Sequence, residues 1–436
     1  MSSIVNFIVY LAIPFLFLLA FCITIHELGH FLTAKLFHIP VEKFSIGYGP
    51  PLLRKQIGET DFRIAYFPLG GYVKMAGDDE GNITGAGEPE PTTEQPGFYD
   101  APVHRRILVV FAGPLFNIVS AMFVLMITFA LFGLSVDPYT RIDVETGGYA
   151  DRAGLMTGDS MLSANGKQLM YWDEFLEILI DNAEKEIQVS VMREGATFDT
   201  RIVLHPDSLG ITNIVPPVLA NIKHDGPADR AGMIQGDTVL SIDGDTITTW
   251  AQMYDIVSAH PGTEMTFRWV HDGTIKSALI TTRPQYDPMV EDTVGKIDVM
   301  KPHARVFLSP LETVVLGVQR TGEGIYGTLN IFYQLTIGRI SRRALGGPIA
   351  IAQLTAESVA WGPEFLLGLL VAISVNLGLI NLFPIPALDG GHILIALIEG
   401  VRRKRFSRRT RLIIQQIGYA FILFLIIFVT FNDLTR

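Results

Sequence analysis

The chain reads as a polytopic α-helical membrane protein: four transmembrane helices, a membrane-associated β-hairpin after the first, and an inserted tandem pair of small domains between the second and third. Three observations predict this. Four stretches are long and apolar enough to span a bilayer. A segment punctuated by Gly and Pro, with partial period-two alternation, follows the first of them. One motif recurs at a constant offset between the second and third spans. Of 436 residues, 49% are hydrophobic and 18% charged, so spans are mixed with water-facing material and several domains are expected. The net charge of −10 argues against nucleic acid as a partner. Cys22 is the single cysteine, which excludes an intramolecular disulfide and a thiolate metal site but says nothing about compartment.

Residues 1–37 form the first span. No basic residue precedes its apolar run and no small-residue cleavage site follows, so it is read as a retained helix and not a cleaved signal. The run contains His26-Glu27-Leu28-Gly29-His30. Side chains at i and i+4 share a helix face, so His26 and His30 can grip one ion, while Glu27 sits where it could take a proton from a metal-bound water. Ionisable groups at membrane depth are expensive and seldom idle. The competing reading is that the three satisfy one another in a helix interface.

Residues 38–104 hold hairpin material and an acidic loop. Gly47, Gly49, Pro50, Pro51, Gly70 and Gly71 break the segment too often for a span. A membrane-dipping β element beside a metal would offer a free edge to an unwound substrate; an ordinary cytoplasmic hairpin is the alternative. The 78–96 loop, rich in Gly, Pro, Glu and Thr, is read as flexible and without chemistry. Residues 105–135 are the second span.

Between the spans, Gly148-Tyr-Ala-Asp-Arg-Ala-Gly-Leu-Met-Thr-Gly-Asp159 recurs as Gly226-Pro-Ala-Asp-Arg-Ala-Gly-Met-Ile-Gln-Gly-Asp237, and the register continues through Trp172 and Trp250. Two copies of one α/β domain are implied, 136–210 and 211–303. They look like PDZ domains, which bind extended peptides by strand addition but also serve as spacers or lids. Residues 304–362 are amphipathic and predict helices lying along the outer membrane surface.

The third span and the carboxylate motif after it occupy 363–392, a basic cytoplasmic loop 393–411, and the fourth span 412–436. Arg402, Arg403, Lys404, Arg405, Arg408, Arg409 and Arg411 make the loop the densest basic cluster, which places it in the cytoplasm and the repeats outside. Alternation then puts His26, His30 and the end of span three on the same side, so the third ligand is sought there. Asp389 supplies a carboxylate after Pro384 and Pro386, which break the helix. Capping the next helix is its competing role. His392 is read as a supporting or helix residue.

These residues carry a resemblance. Together with Pro68-Leu-Gly-Gly-Tyr-Val-Lys-Met75, Ala112-Gly-Pro-Leu-Phe-Asn117 and Asn381-Leu-Phe-Pro-Ile-Pro-Ala-Leu-Asp-Gly390, the motif and repeats closely resemble the bacterial site-2 proteases of the RseP, or regulator-of-sigma-E, type over nearly the whole chain. The resemblance implies Zn2+ held by His26, His30 and Asp389, Glu27 as catalytic base, and Asn376, Asn381 and Pro386 near the substrate strand. It implies an intramembrane endopeptidase in the bacterial inner membrane, with periplasmic PDZ domains and the active site near the cytoplasmic side. The implied partner is a single-pass membrane protein of anti-sigma type, cut in its transmembrane segment after a first extracytoplasmic cut, in regulated intramembrane proteolysis of the envelope stress response. The 78–96 loop has no counterpart in the family pattern.

Two other classes stay in view. A PDZ-bearing membrane scaffold with a structural metal would want four closed ligands, and no fourth is evident. An ion transporter would also bury His, Glu and Asp, but the spans show no paired repeats.

Overall fold

The computed structural model describes residues 7–77, 97–182, 185–203, 210–287, 290, 292–339 and 346–435, so the acidic 78–96 segment lies outside the described residues. Two compact units emerge, one from residues 1–131 and 309–436, the other from 132–308.

In chain order, the first unit begins with a π-helical stretch, Phe7–Ala12, that runs into α1, Ile13–Leu36. Pro14 stands at the junction of the two stretches, where its missing N–H falls at a change of hydrogen-bonding pattern. The helix ends at Phe37, and His38 adopts a left-handed φ of 59° that turns the chain. Strands β1 (Val41–Ile57) and β2 (Thr60–Met75) then pair antiparallel. Gly58, with φ of 60°, makes the turn between them. Phe31 of α1, Phe44 of β1 and Phe62 of β2 meet with ring centroids 5.5–5.6 Å apart, which pins the hairpin against the helix. The helix α2, Val103–Phe132, crosses beside α1. A Cβ on Gly29 would strike the Ala112 carbonyl, so only glycine allows this approach.

The second unit repeats one plan twice. Strands β3 (Ser160–Ala164) and β4 (Lys167–Gln168), helix α3 (Trp172–Asp181) and strands β5 (Glu186–Arg193) and β6 (Ala196–Val203) form a sheet ordered β4-β3-β5-β6. Strands β7 (Thr238–Ile242) and β8 (Asp245–Thr246), helix α4 (Trp250–Ser258) and strands β9 (Glu264–His271) and β10 (Thr274–Thr281) form another, ordered β8-β7-β9-β10. Alternation along β5 turns Ile187, Val189 and Val191 inward against Phe175 of α3, and along β9 turns Met265, Phe267 and Trp269 inward with Met253 of α4. The identical order is what one duplicated sequence should yield.

Back in the first unit come α5 (Pro310–Thr336), α6 (Pro348–Trp361), α7 (Pro363–Asn381), α8 (Asp389–Arg402) and α9 (Arg408–Leu434). Among the described residues, four helices are long and apolar enough to cross a membrane: Ile8–Leu36, Val103–Phe132, Pro363–Asn381 and Arg408–Leu434. Within residues 304–362, α5 meets its neighbours at three points. Gly317 of α5 packs on Met126 of α2, Ile325 joins Ala121, Val375 and Leu379, and Phe332 meets Phe383 at 5.1 Å. The helix α5 therefore lies lengthwise along α2 and α7. Thr328 Oγ1 of α5 donates to Asn376 Oδ1 of α7 at 2.8 Å. The start of α6 is held by Asp433 near the end of α9, whose carboxylate accepts the N–H groups of Gly347, Ile349 and Ala350.

Candidate metal centre

Three elements bring the ligands together. On α1, His26 and His30 sit one turn apart, each only 8% exposed. Their rings meet edge to face at 4.8 Å. After α7 the chain cannot continue as helix through Pro384 and Pro386, and Ala387 takes a left-handed φ of 83° that L-residues adopt reluctantly. This turn delivers Asp389 as the first residue of α8. Leu388 is the cap of that helix, and no side chain makes a capping bond, so Asp389 is not spent as a cap.

Asp389 Oδ2 lies 3.0 Å from His26 Nε2, and Asp389 Oδ1 lies 3.5 Å from His30 Nε2. The two Nε2 atoms are 3.2 Å apart. One ligand atom from each of the three residues falls within 4.8 Å of the others, the single such group among the described residues. The protonation pattern says what belongs between them. His30 Nδ1 is 2.9 Å from the Val109 carbonyl and donates to it, so its Nε2 carries the lone pair. Asp389 Oδ2 is buried against the His26 ring. Two imidazoles and one carboxylate converging in this way are borderline ligands that suit zinc with an open fourth position.

The helix α2 supplies the floor. A Cβ on Gly113 would collide with His30 Nε2, so glycine is required where the ring lies. Asn117, fully buried, places its amide 3.3 Å from His26 Nδ1. Arg106 on α2 and Glu399 on α8 form a buried ion pair, Nη1 to Oε2 at 2.8 Å, and Glu399 Oε1 accepts the Phe406 N–H at 2.7 Å. That pair ties the helix beginning with Asp389 to the helix that supports both histidines.

Glu27 lines the same cavity as the ligands, with Tyr48, Tyr72 and Val73 of the hairpin on one side and Asn381, Leu388 and His392 on another. Val73 of β2 and Glu27 line the same wall of the cavity. Of the residues expected near the substrate, the structure brings one to the cavity: Asn381, whose amide lies 3.4 Å from His26 Nε2. Asn376 instead bonds Thr328 of α5, and the Pro386 backbone packs on Gly418 of α9; neither lines the cavity. Gly113, Asn117 and the Val109 carbonyl carry no role in the reading of the sequence. The run Ala112-Gly-Pro-Leu-Phe-Asn117 is the signal that points to Gly113 and Asn117, and Val109 lies outside it.

The family model described as Peptidase family M50 matches residues 14–425. A protein of Salmonella typhi named "Regulator of sigma E protease" is 30% identical, over 97% of this chain and 98% of its own. A "Putative zinc metalloprotease" of Vibrio cholerae is 30% identical over the same shares. Among solved structures, the PDZ domain of an SdrC-like protein from Listeria innocua is 21% identical, covering 21% of this chain and 97% of its own with a TM-score of 0.18, too low to argue from.

Proposed function

Because the chain belongs to peptidase family M50, we propose that it is an intramembrane endopeptidase that cleaves the transmembrane segment of single-pass membrane proteins. It is an integral membrane protein and a zinc metalloprotease of site-2 type. The observation that carries the proposal is the convergence of His26, His30 and Asp389, with Glu27 in the same cavity, at one end of an apolar helix.

When bound, zinc supplies Lewis acidity that polarises a carbonyl and makes water a usable nucleophile near neutral pH. His26, His30 and Asp389 hold it. Glu27 is not a ligand in this reading: it takes the proton of the attacking water and passes it to the leaving nitrogen. Asn381 borders the metal position and offers an amide N–H to the substrate carbonyl. A transmembrane helix satisfies its own backbone, so cleavage requires local unwinding, and freed N–H and C=O groups must find partners. The hairpin wall of the cavity is the candidate edge.

The relatives' names support a finer reading, in which the substrate is an anti-sigma protein cut after a first extracytoplasmic cleavage. In that reading the chain sits in the inner membrane, the tandem PDZ domains lie in the periplasm, and they screen out substrates with bulky outer domains. A scaffold with a structural metal is less well supported, since three ligands leave an open position. Purified chain and Glu27→Gln, assayed for zinc content and for cleavage of a model transmembrane substrate, test the proposal. Cleavage should vanish in the variant while zinc stays; cleavage that persists would overturn the role of Glu27.

A further inference from the structure

We propose that Asn117 is a positioning residue for the metal, whose side-chain carbonyl accepts the His26 Nδ1–H and so holds the Nε2 lone pair toward Asp389 and His30. The inference rests on the metal-site reading above and extends it to a residue on another helix.

The two histidines need the same tautomer, because each must present Nε2 as a lone pair. For His30 the Val109 carbonyl enforces it from 2.9 Å. For His26 the group against Nδ1 is the Asn117 side-chain amide, at 3.3 Å and with the residue fully buried. An amide can turn either end to the ring, and the two ends have nearly the same shape. With the NH2 end inward, Nδ1 would be the acceptor and the proton would sit on Nε2, where it would block the metal. Turning the carbonyl to the ring makes Oδ1 the acceptor of the Nδ1–H, sets the tautomer and leaves the Nε2 lone pair for a cation.

The placement is fixed by more than one contact. Ser374 Oγ of α7 donates to the Asn117 backbone carbonyl at 2.9 Å, and Gly113, one turn earlier, makes room for His30. Thus one face of α2 serves both rings, with a small residue for one and an acceptor for the other. Partners of this kind orient a metal-bound imidazole and raise its basicity, and losing one costs about 10- to 100-fold in metal affinity.

The test uses the full chain in detergent micelles, with zinc affinity read by chelator competition. Asn117→Leu keeps the volume and removes the acceptor, and it should bind zinc about 10- to 100-fold more weakly. Asn117→Asp restores an acceptor and should hold zinc at least as tightly as the native chain. A packing role alone would not be rescued in this way. Equal affinities for Leu and Asp variants, or native affinity for Asn117→Leu, would overturn the proposal. His26→Ala, measured alongside, separates the two levels: zinc retained there would remove the metal site itself, whereas zinc lost there but unchanged in Asn117→Leu would remove only the role of Asn117.

Discussion

Asp389 Oδ2 stands 3.0 Å from His26 Nε2, joining the start of the chain to a turn near its end. Neither atom has a proton to share in the metal-binding tautomer, so the contact is repulsive unless a cation lies between. Metal removal should therefore loosen the bundle: stripping zinc with a chelator is expected to lower the melting temperature of the detergent-solubilised chain. Asp389→Ala should bind little zinc, and its melting temperature should be insensitive to the chelator.

Gly113→Ala should disable the site without replacing a ligand. The added methyl meets the His30 ring, which must leave its place or push α2 away from α1. Overpacking of this kind costs about 1–3 kcal/mol. A fall in both zinc content and thermal stability is expected, and a fully loaded, equally stable variant would show that the ring has room.

The buried pair of Arg106 and Glu399 predicts a different profile. Removing one partner strands the other charge, at a cost of about 3–5 kcal/mol. Arg106→Leu and Glu399→Leu should each lower the unfolding midpoint strongly, and the double variant should recover much of the loss. Additive losses in a double-mutant cycle would show that the two charges do not act as a pair.

In the first repeat, Asp159 accepts hydrogen bonds from Arg193 at 2.7–2.8 Å and is almost fully buried. The Arg193 guanidinium beside it, helped by the Met156 N–H, holds its carboxyl below the usual carboxylate range. A depressed folded pKa contributes stability that is complete above the unfolded value of about 3.9 and fades as pH falls toward the folded one. Unfolding of the extramembrane repeats should accordingly become easier below about pH 4, and Asp159→Asn should be less stable near neutrality with a flatter acid profile. The second repeat carries His271 at the Arg193 position, 2.8 Å from Asp237.

Substrate choice should follow helix stability. A model transmembrane segment with Gly or Pro near the cut should be cleaved faster than a poly-Leu segment, since less ordered backbone must be unwound. Equal rates in a reconstituted assay would argue against unwinding as a step.

Several features were open to reading from the chain alone because their causes are local. Apolar runs give spans, and the helical period places His26 over His30 whatever surrounds them. Recurrence of Gly148 to Asp159 at Gly226 to Asp237 implies a duplicated domain without reference to any contact. Asp389 was reachable too, since breaking Pro384 and Pro386 and the alternation of spans put a carboxylate on the side where the histidines end.

Packing alone settled the rest. His30 meets the Val109 carbonyl 79 positions along the chain, and His26 meets Asn117 at a separation of 91, distances at which no periodicity carries information. An amphipathic stretch such as Pro310–Thr336 reads the same whether its polar side meets headgroups or the amide of Asn376, and only the neighbouring helices α2 and α7 choose between them. Thus composition and period determine which segments form and which chemistry they carry, whereas the partners that tune that chemistry depend on which helix faces come together in three dimensions.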